Sequence, residues 1–245
     1  MIARAKKGAT AYGLAIGIMV IDDDYPCIPG DVRNATTYDF PVHYERIPGL
    51  NIRNVTQIPT GFPVEKVIQA AKKLESAGVK AICGECGYLA ICQREVAAAV
   101  SIPVFISSLM QVPMVSQMMG PDQSVGVVVA EENYFTRDHF AAVGITGDMR
   151  IKVLGNEDDG RAPAFTKIFY EQGDLNVEEA KNQILNNVKG FVDANPDIGA
   201  LVLECTSYPP YASFIQEATG LPVFDYYTMI EFVYQAVCHK SFVVL

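Results

Sequence analysis

One short unit occurs twice in the chain. Glu85-Cys86-Gly87-Tyr88 leads through a helical spacer to Ile102-Pro103-Val104-Phe105. Glu204-Cys205-Thr206-Ser207 leads in the same way to Leu221-Pro222-Val223-Phe224. The interval from cysteine to proline is 17 residues in both copies. Each cysteine follows an apolar run, residues 79–83 and 200–203, of the length and composition of a buried strand. A chain that repeats strand, cysteine, helix and strand must build two related halves. Each half then holds a thiol at the same kind of strand end.

The segments between the copies fit that plan. Residues 12–21 and 124–130 are glycine-punctuated apolar runs that read as the first strand of each half. Val64, Val67, Ile68, Ala71 and Leu74 recur at helical spacing, with Pro63 before them and Gly78 after them. Further helices are predicted over residues 89–100, 109–119, 138–143, 164–170, 177–194, 211–218 and 229–238. Strands are predicted over 42–45, 51–58, 104–106, 151–154 and 223–224. Asn176 and Glu179 have the spacing of a helix-capping pair. Residues 133–136 read as a loop and 156–159 as an acidic turn. Strands alternating with helices imply an α/β fold: two pseudo-symmetric, doubly wound, Rossmann-like parallel sheets with the active site in the cleft between them. Residues 1–119 with 225–245 are expected to form the subdomain carrying Cys86, and residues 120–224 the one carrying Cys205.

A net charge of −9 over 245 residues leaves no basic patch for nucleic acid. Residues 1–7 lack the apolar core of a secretory leader, and the apolar run 14–21 is too short to span a bilayer. Six cysteines without an export signal imply reduced thiols and a cytoplasmic setting. The methionines between Met110 and Met119 suggest packing or a homo-oligomeric contact. Asp22-Asp23-Asp24 reads as a solvated strand end, although three acids together also suit a cation.

The long segment 25–60, rich in Pro, Gly, Asn and Thr, leaves the first strand and is expected to overhang the strand ends where ligands bind. Cys27, Cys92 and Cys238 read as small buried hydrophobes. Cys86 and Cys205 do not, because each lies between a strand and a helix start. Backbone N–H groups and the helix dipole there are expected to lower a thiol pKa from about 8.5. Cys83 and Cys86 form a C-x-x-C, which keeps thiol redox chemistry or a non-catalytic role open. Zinc would need histidines that His43, His139 and His239 do not supply by spacing, and no phosphate loop or serine elbow occurs.

Two opposed thiols suit a carbon acid. One removes a proton beside a carboxylate and the other returns one from the opposite face, with neither metal nor cofactor. A single thiolate also suffices for an elimination, or for reprotonation after a decarboxylation. Backbone N–H groups of Gly87, Tyr88, Thr206 and Ser207, with the two hydroxyls, are candidates to hold the enediolate. Tyr25, at the head of the long loop, completes the candidate substrate contacts.

The motifs Glu85-Cys86-Gly87-Tyr88-Leu89-Ala90, Pro103 to Leu109, Leu203-Glu204-Cys205-Thr206 with Pro209-Pro210-Tyr211, Ile28 to Val32 and Thr219 to Asp225 resemble the aspartate/glutamate/hydantoin racemase superfamily nearly end to end. That resemblance implies a cofactor-independent racemase or epimerase of an amino acid or hydantoin-like derivative. It makes Cys86 and Cys205 the proton-transfer pair and puts Tyr134 in the loop where relatives contact the substrate carboxylate. The decarboxylases of the superfamily keep one cysteine, whereas this chain has both. The same branch is similar to the algal dimethylsulfoniopropionate lyases, which share the Pro-Gly-Asp loop and both cysteine motifs. Those lyases tend to carry Asp at the position of Glu85, and aromatic or Met residues near Leu89 and Ala90. Arg33, Arg46, Arg94 and Arg137 are the candidate cations for a second substrate carboxylate.

Overall fold

The computed structural model describes residues 11–56, 63–156, 160–171 and 173–242. Four parallel strands, β1 (Ile16–Val20), β2 (Val42–Arg46), β3 (Ala81–Gly84) and β4 (Val104–Phe105), form a sheet in the order β2-β1-β3-β4. Four more, β5 (Ser124–Val129), β6 (Ile151–Gly155), β7 (Ile198–Leu203) and β8 (Val223–Phe224), form a second in the order β6-β5-β7-β8. The two orders are the same, so the halves are copies in topology as well as in motif. Strands β1 and β5 are buried along their whole length. That burial explains their unbroken apolar composition: a parallel sheet is covered on both faces.

Helices α1 (Ile52–Val55), α2 (Val64–Ala77), α3 (Gln93–Ala99) and α4 (Val112–Met118) belong to the chain before β5. They are followed by α5 (Arg137–Ala142), α6 (Pro163–Glu171), α7 (Val177–Ala194), α8 (Pro209–Thr219) and α9 (Tyr226–Val237). On the first sheet α2 buries Val67, Ala70, Ala71 and Leu74 against Met19 and Ile82. It stops at Gly78, whose φ of +99° suits a residue without a side chain. On the second sheet α7 buries Ala180, Ile184 and Val188 against Ile198 and Leu201. Gly17 lies opposite Ile82 and Gly126 opposite Leu201, the residues four positions ahead of the two cysteines. A methyl group at Gly17 would lie 2.9 Å from Leu74 of α2, and one at Gly126 would lie 3.2 Å from Phe191 of α7 as well as 2.7 Å from Leu201 on the next strand. The duplicated glycines are therefore sites of close helix–sheet approach.

The halves also share cores. Val112 and Val115 of α4 pack with Ala90 and Leu109 against Val125, Val127, Ala200 and Val202 of the second sheet. In return α9 brings Tyr226, Met229 and Ile230 back onto Ile16, Ile18, Ala81 and Cys83 of the first. On α4, Met114 and Met118 point to solvent, at 43% and 60% exposure. No helix among the described residues is long and apolar enough to cross a membrane.

Several expected elements differ. The strand expected over 51–58 is instead the helical turn α1, and residues 57 and 58 lie outside the described residues. Asn51 accepts from the Asn54 N–H, and Asn54 Oδ1 accepts from the Asn51 N–H, so local capping outcompetes strand pairing. The helix expected from residue 89 begins as a 3-10 helix, Gly87–Cys92, and becomes α-helical only at Gln93. The last helix starts earlier than periodicity placed it, because Asp225 and Thr228 form a reciprocal cap. Asn176 does accept from the Glu179 N–H, at 3.2 Å, but Glu179 answers through the Asn176 amide and not through the backbone. Of the acidic turn, residues 157–159 lie outside the described residues.

Candidate active site

The carboxyl ends of β1, β3, β5 and β7 set the site. In each sheet the strand order reverses between the first and second of these strands, the position at which such sheets bind ligands. Beyond β3 the Glu85 N–H donates to Met19 O at 2.8 Å; beyond β7 the Glu204 N–H donates to Val128 O at 2.8 Å. The glutamate side chains then fold back in parallel. Glu85 Oε2 accepts from the Ile21 N–H at 3.1 Å, and Glu204 Oε2 accepts from the Ala130 N–H at 3.3 Å. Each carboxyl thus ties the cysteine strand to the end of the first strand of its own half.

Cys86 and Cys205 follow directly. Both are buried, and both line one cavity. Cys86 opens the 3-10 helix in an extended conformation, and its carbonyl accepts from the Leu89 N–H at 3.0 Å. The Cys205 carbonyl accepts from the Tyr208 N–H at 3.1 Å just before α8. Of the expected contacts, Tyr25, Gly87, Tyr88 and Thr206 line the same cavity. Tyr134 and Ser207 are not among its lining residues. Tyr134 sits edge-on to the Tyr88 ring at 6.2 Å and is 36% exposed. The Ser207 hydroxyl is turned to Asp31.

The expected fall in thiol pKa is reversed for Cys86. Burial pushes this thiol well above its ordinary value, Glu85 and Glu204 add to the rise, and the Tyr88 N–H opposes it. A short 3-10 helix start does not offset the desolvation of a sulfur sunk between two strands. Burial also raises Glu85 and Glu204 from 4.5 to about 8, so both are neutral acids at neutral pH. Neutral carboxyls do not repel a bound carboxylate, which two ionised ones would.

Sequence reading singled out the Pro29-Gly30-Asp31 loop without seeing what it does. Tyr25 is hydrogen-bonded to Glu85 Oε1, beside Cys86. A few residues later Asp31 Oδ2 accepts from Ser207, and the Val32 N–H donates to Thr206 O at 3.2 Å. Gly30, at φ +101°, passes so close to α8 that a methyl group there would lie 3.0 Å from the Pro210 backbone. The loop is a strap from one cysteine segment to the other. Burial raises Asp31 to about 6 even with Ser207 and the Arg33 N–H donating to it. Ser207→Ala removes a buried donor from this carboxyl and is expected to cost about 1–3 kcal/mol. The urea midpoint should fall with the denaturant slope unchanged; an unchanged midpoint would show that the strap is held by other contacts.

The four arginines separate clearly. Arg33 lies 4.8 Å from the Tyr25 ring centre and donates to Asp23 O at 2.7 Å, behind the cavity wall. Arg46 pairs with Asp22 and Asp24, Arg94 donates to Ala141 O, and Arg137 lines a separate surface depression. Two of the three aspartates also serve the backbone: Asp22 accepts from the Gly49 N–H and Asp23 from the Ile52 N–H. Cys83 packs on the α9 face of the first sheet and Cys86 on the α2 face, so the C-x-x-C pair is divided between opposite faces. Ile21, Ala130, Glu131, Ile52 and Phe169 also line the cavity and were not picked out from sequence. The duplication itself marks Ile21 and Ala130, each the residue after a first strand. Nothing in the local sequence marks Ile52 or Phe169, which arrive from α1 and α6.

No family model matches the chain. It is similar to a dimethylsulfoniopropionate lyase of Durusdinium sp. clade D, 27% identical over 216 residues, which cover 86% of this chain and 71% of the relative. It is also similar to dimethylsulfoniopropionate lyase 5 of Emiliania huxleyi, 30% identical over 235 residues, covering 91% of this chain and 45% of the relative. The chain therefore spans less than half of that second relative. Among solved structures, unliganded arylmalonate decarboxylase has a TM-score of 0.59 at 14% identity, covering 93% of this chain and 94% of the other. Aspartate racemase of Picrophilus torridus has a TM-score of 0.54 at 16% identity, covering 92% and 91%. The chain shares the fold of these solved structures, and the sequence relatives carry the name dimethylsulfoniopropionate lyase.

Proposed function

We propose that this chain, with its racemase-superfamily fold, is a cofactor-independent enzyme that moves a proton at the carbon next to a substrate carboxylate, with Cys86 and Cys205 as the two bases. The observation that supports this most is the meeting of both thiols in one cavity from equivalent strand ends. In that reading one cysteine, as thiolate, takes the proton from one face. The other, as thiol, delivers a proton to the opposite face, so one turnover inverts the carbon and exchanges the protonation states of the pair. The resulting enediolate is held by backbone N–H groups after each cysteine. Removing one donor of this kind typically costs about 10²–10³-fold in rate. The product is the opposite enantiomer of an amino acid or a hydantoin-like derivative.

A second reading is favoured by the sequence relatives, whose names are dimethylsulfoniopropionate lyases. Here one thiolate removes the same kind of proton, the electron pair forms the carbon–carbon double bond, the carbon–sulfur bond breaks, and dimethyl sulfide leaves with that bond's electron pair. The other products are acrylate and the protonated thiol. A sulfide needs no proton to leave, so this outcome requires one cysteine only.

The test is a panel of amino acids, hydantoins and dimethylsulfoniopropionate in deuterated water, followed by proton NMR. Loss of the α-proton signal from an otherwise unchanged compound supports the racemase. Acrylate and dimethyl sulfide from the sulfonium compound support the lyase and remove the racemase outcome. Neither result across the panel overturns the proposal.

A further inference from the structure

The two buried glutamates are matched in backbone but not in what their outer oxygens meet. Glu85 Oε1 is engaged by the Tyr25 hydroxyl. Glu204 is 1% exposed, and its Oε1 has no hydrogen-bond partner among the described residues. That oxygen crosses from the second half to the first and lies against Gly87, where a methyl group would be 1.4 Å from it. Glu204 also lines the cavity that both cysteines line. An oxygen without a hydrogen-bond partner at a cavity wall is an open hydrogen-bonding position.

We propose that Glu204, and not its counterpart Glu85, receives the substrate carboxylate, donating a hydrogen bond from Oε1–H while Oε2 stays on the Ala130 N–H. This rests on the reading of the cavity as the site of a carboxylate substrate. A protonated carboxyl is a donor that carries no charge, so it approaches an anion without repulsion. The same bond strengthens as negative charge collects on the carboxylate oxygens in an enediolate. Burial keeps the proton on: Glu204 is raised to about 8, with the Ala130 N–H the one opposing influence and no cation beside it. Glu85 is equally raised, but Arg33 and Tyr25 both bear on it, and its outer oxygen is taken. The titratable groups that face Glu204 are Cys86 and Tyr226, with Glu85, Glu131, Cys205 and Tyr25 sharing the cavity wall. The tight fit at Gly87 then has a function. A residue with no side chain lets the carboxyl of one half reach the cysteine loop of the other.

The test uses propionate as a carboxylate probe and follows its binding to the full chain by calorimetry at pH 6 and pH 9. Glu204→Gln keeps a neutral donor of the same shape, whereas Glu204→Ala removes it. The expected result is similar affinity for wild type and Glu204→Gln at pH 6. At pH 9, where wild-type Glu204 is ionised, Glu204→Gln should bind about tenfold better. Glu204→Ala should bind about 10- to 100-fold more weakly than wild type at pH 6. If Glu204→Gln is as weak as Glu204→Ala, or if the wild type binds no propionate, the assignment is overturned. The corresponding Glu85→Gln variant should not gain on wild type at pH 9 by as much as Glu204→Gln; an equal or larger gain assigns the role to Glu85 instead. Proton exchange on the substrate panel is read separately. Propionate binding as expected without exchange on any substrate sinks the proposed reaction and leaves this assignment. Exchange without a Glu204 effect sinks only the assignment.

Discussion

With serine in place of either Cys86 or Cys205, racemisation of the true substrate should fall about 10²–10⁴-fold, the usual range for losing a positioned acid–base group. The two variants should fail in complementary ways. Each enantiomer presents its α-proton to one face, so each remaining cysteine still washes the α-proton out of one enantiomer in deuterated water. Cys86→Ser should retain that exchange for one enantiomer and Cys205→Ser for the other. A lyase predicts a different pattern, in which one variant loses nearly all turnover and the other keeps most of it. Retention of full exchange by both variants would remove the thiols from the mechanism. Both side chains are buried, and serine places a hydroxyl where sulfur was. A stability loss of about 1–3 kcal/mol is therefore expected, and the urea midpoint of each variant must be measured beside its rate.

Stability should fall as pH rises from about 4.5 to about 8, opposite to the acid lability of most proteins. Glu85 and Glu204 are raised by burial from 4.5 to about 8. Across that window the unfolded chain has released both protons and the folded chain still holds them. The folded state binds more protons, so stability decreases with pH, by up to about 1.4 kcal/mol per unit for each group, and levels off above the folded pKa. Asp31 acts with the same sign between 3.8 and about 6. His139, buried and lowered from 6.5 to about 4, acts against them, because the unfolded chain binds its proton first. That contribution ends at 6.5, so pH 6.5–8 is the window in which the glutamates act without it. Urea midpoints should decline through this window in the wild type. They should stay nearly flat in the Glu85→Gln/Glu204→Gln double variant, which should be the more stable protein at pH 8. A wild-type midpoint that is level or rising from 6.5 to 8 would show that the two carboxyls ionise normally.

Much of the frame was readable before any coordinates. The cysteine–proline interval and the paired apolar runs led to two related parallel sheets, because strand and helix periodicities are local properties of a sequence. The misread strand has a local cause, and the turn of Ser207 away from the cavity a distant one. Residues 51–58 are apolar and β-branched enough to suggest a strand, but the Asn51–Asn54 cap satisfies their backbone in a helical turn. Ser207 was expected at the substrate, yet Asp31, 176 positions away, takes its hydroxyl. No pattern within either segment encodes that meeting.

The sequence by itself determined the duplication, the buried strands, and the placing of each cysteine between a strand and a helix start. These follow from side-chain periodicity and backbone hydrogen bonding over short spans. Only the tertiary structure decided what surrounds the thiols. Docking the halves buried Cys86 deeply enough to raise its pKa, when its helix start alone predicted a fall. It left Glu85 with a Tyr25 partner and Glu204 with an open oxygen over Gly87, although the two glutamates are equivalent in sequence. The physical reason is that desolvation and hydrogen-bond partnership depend on which distant groups share the interior, and the loop after β1 supplies Tyr25 to one side of the cavity.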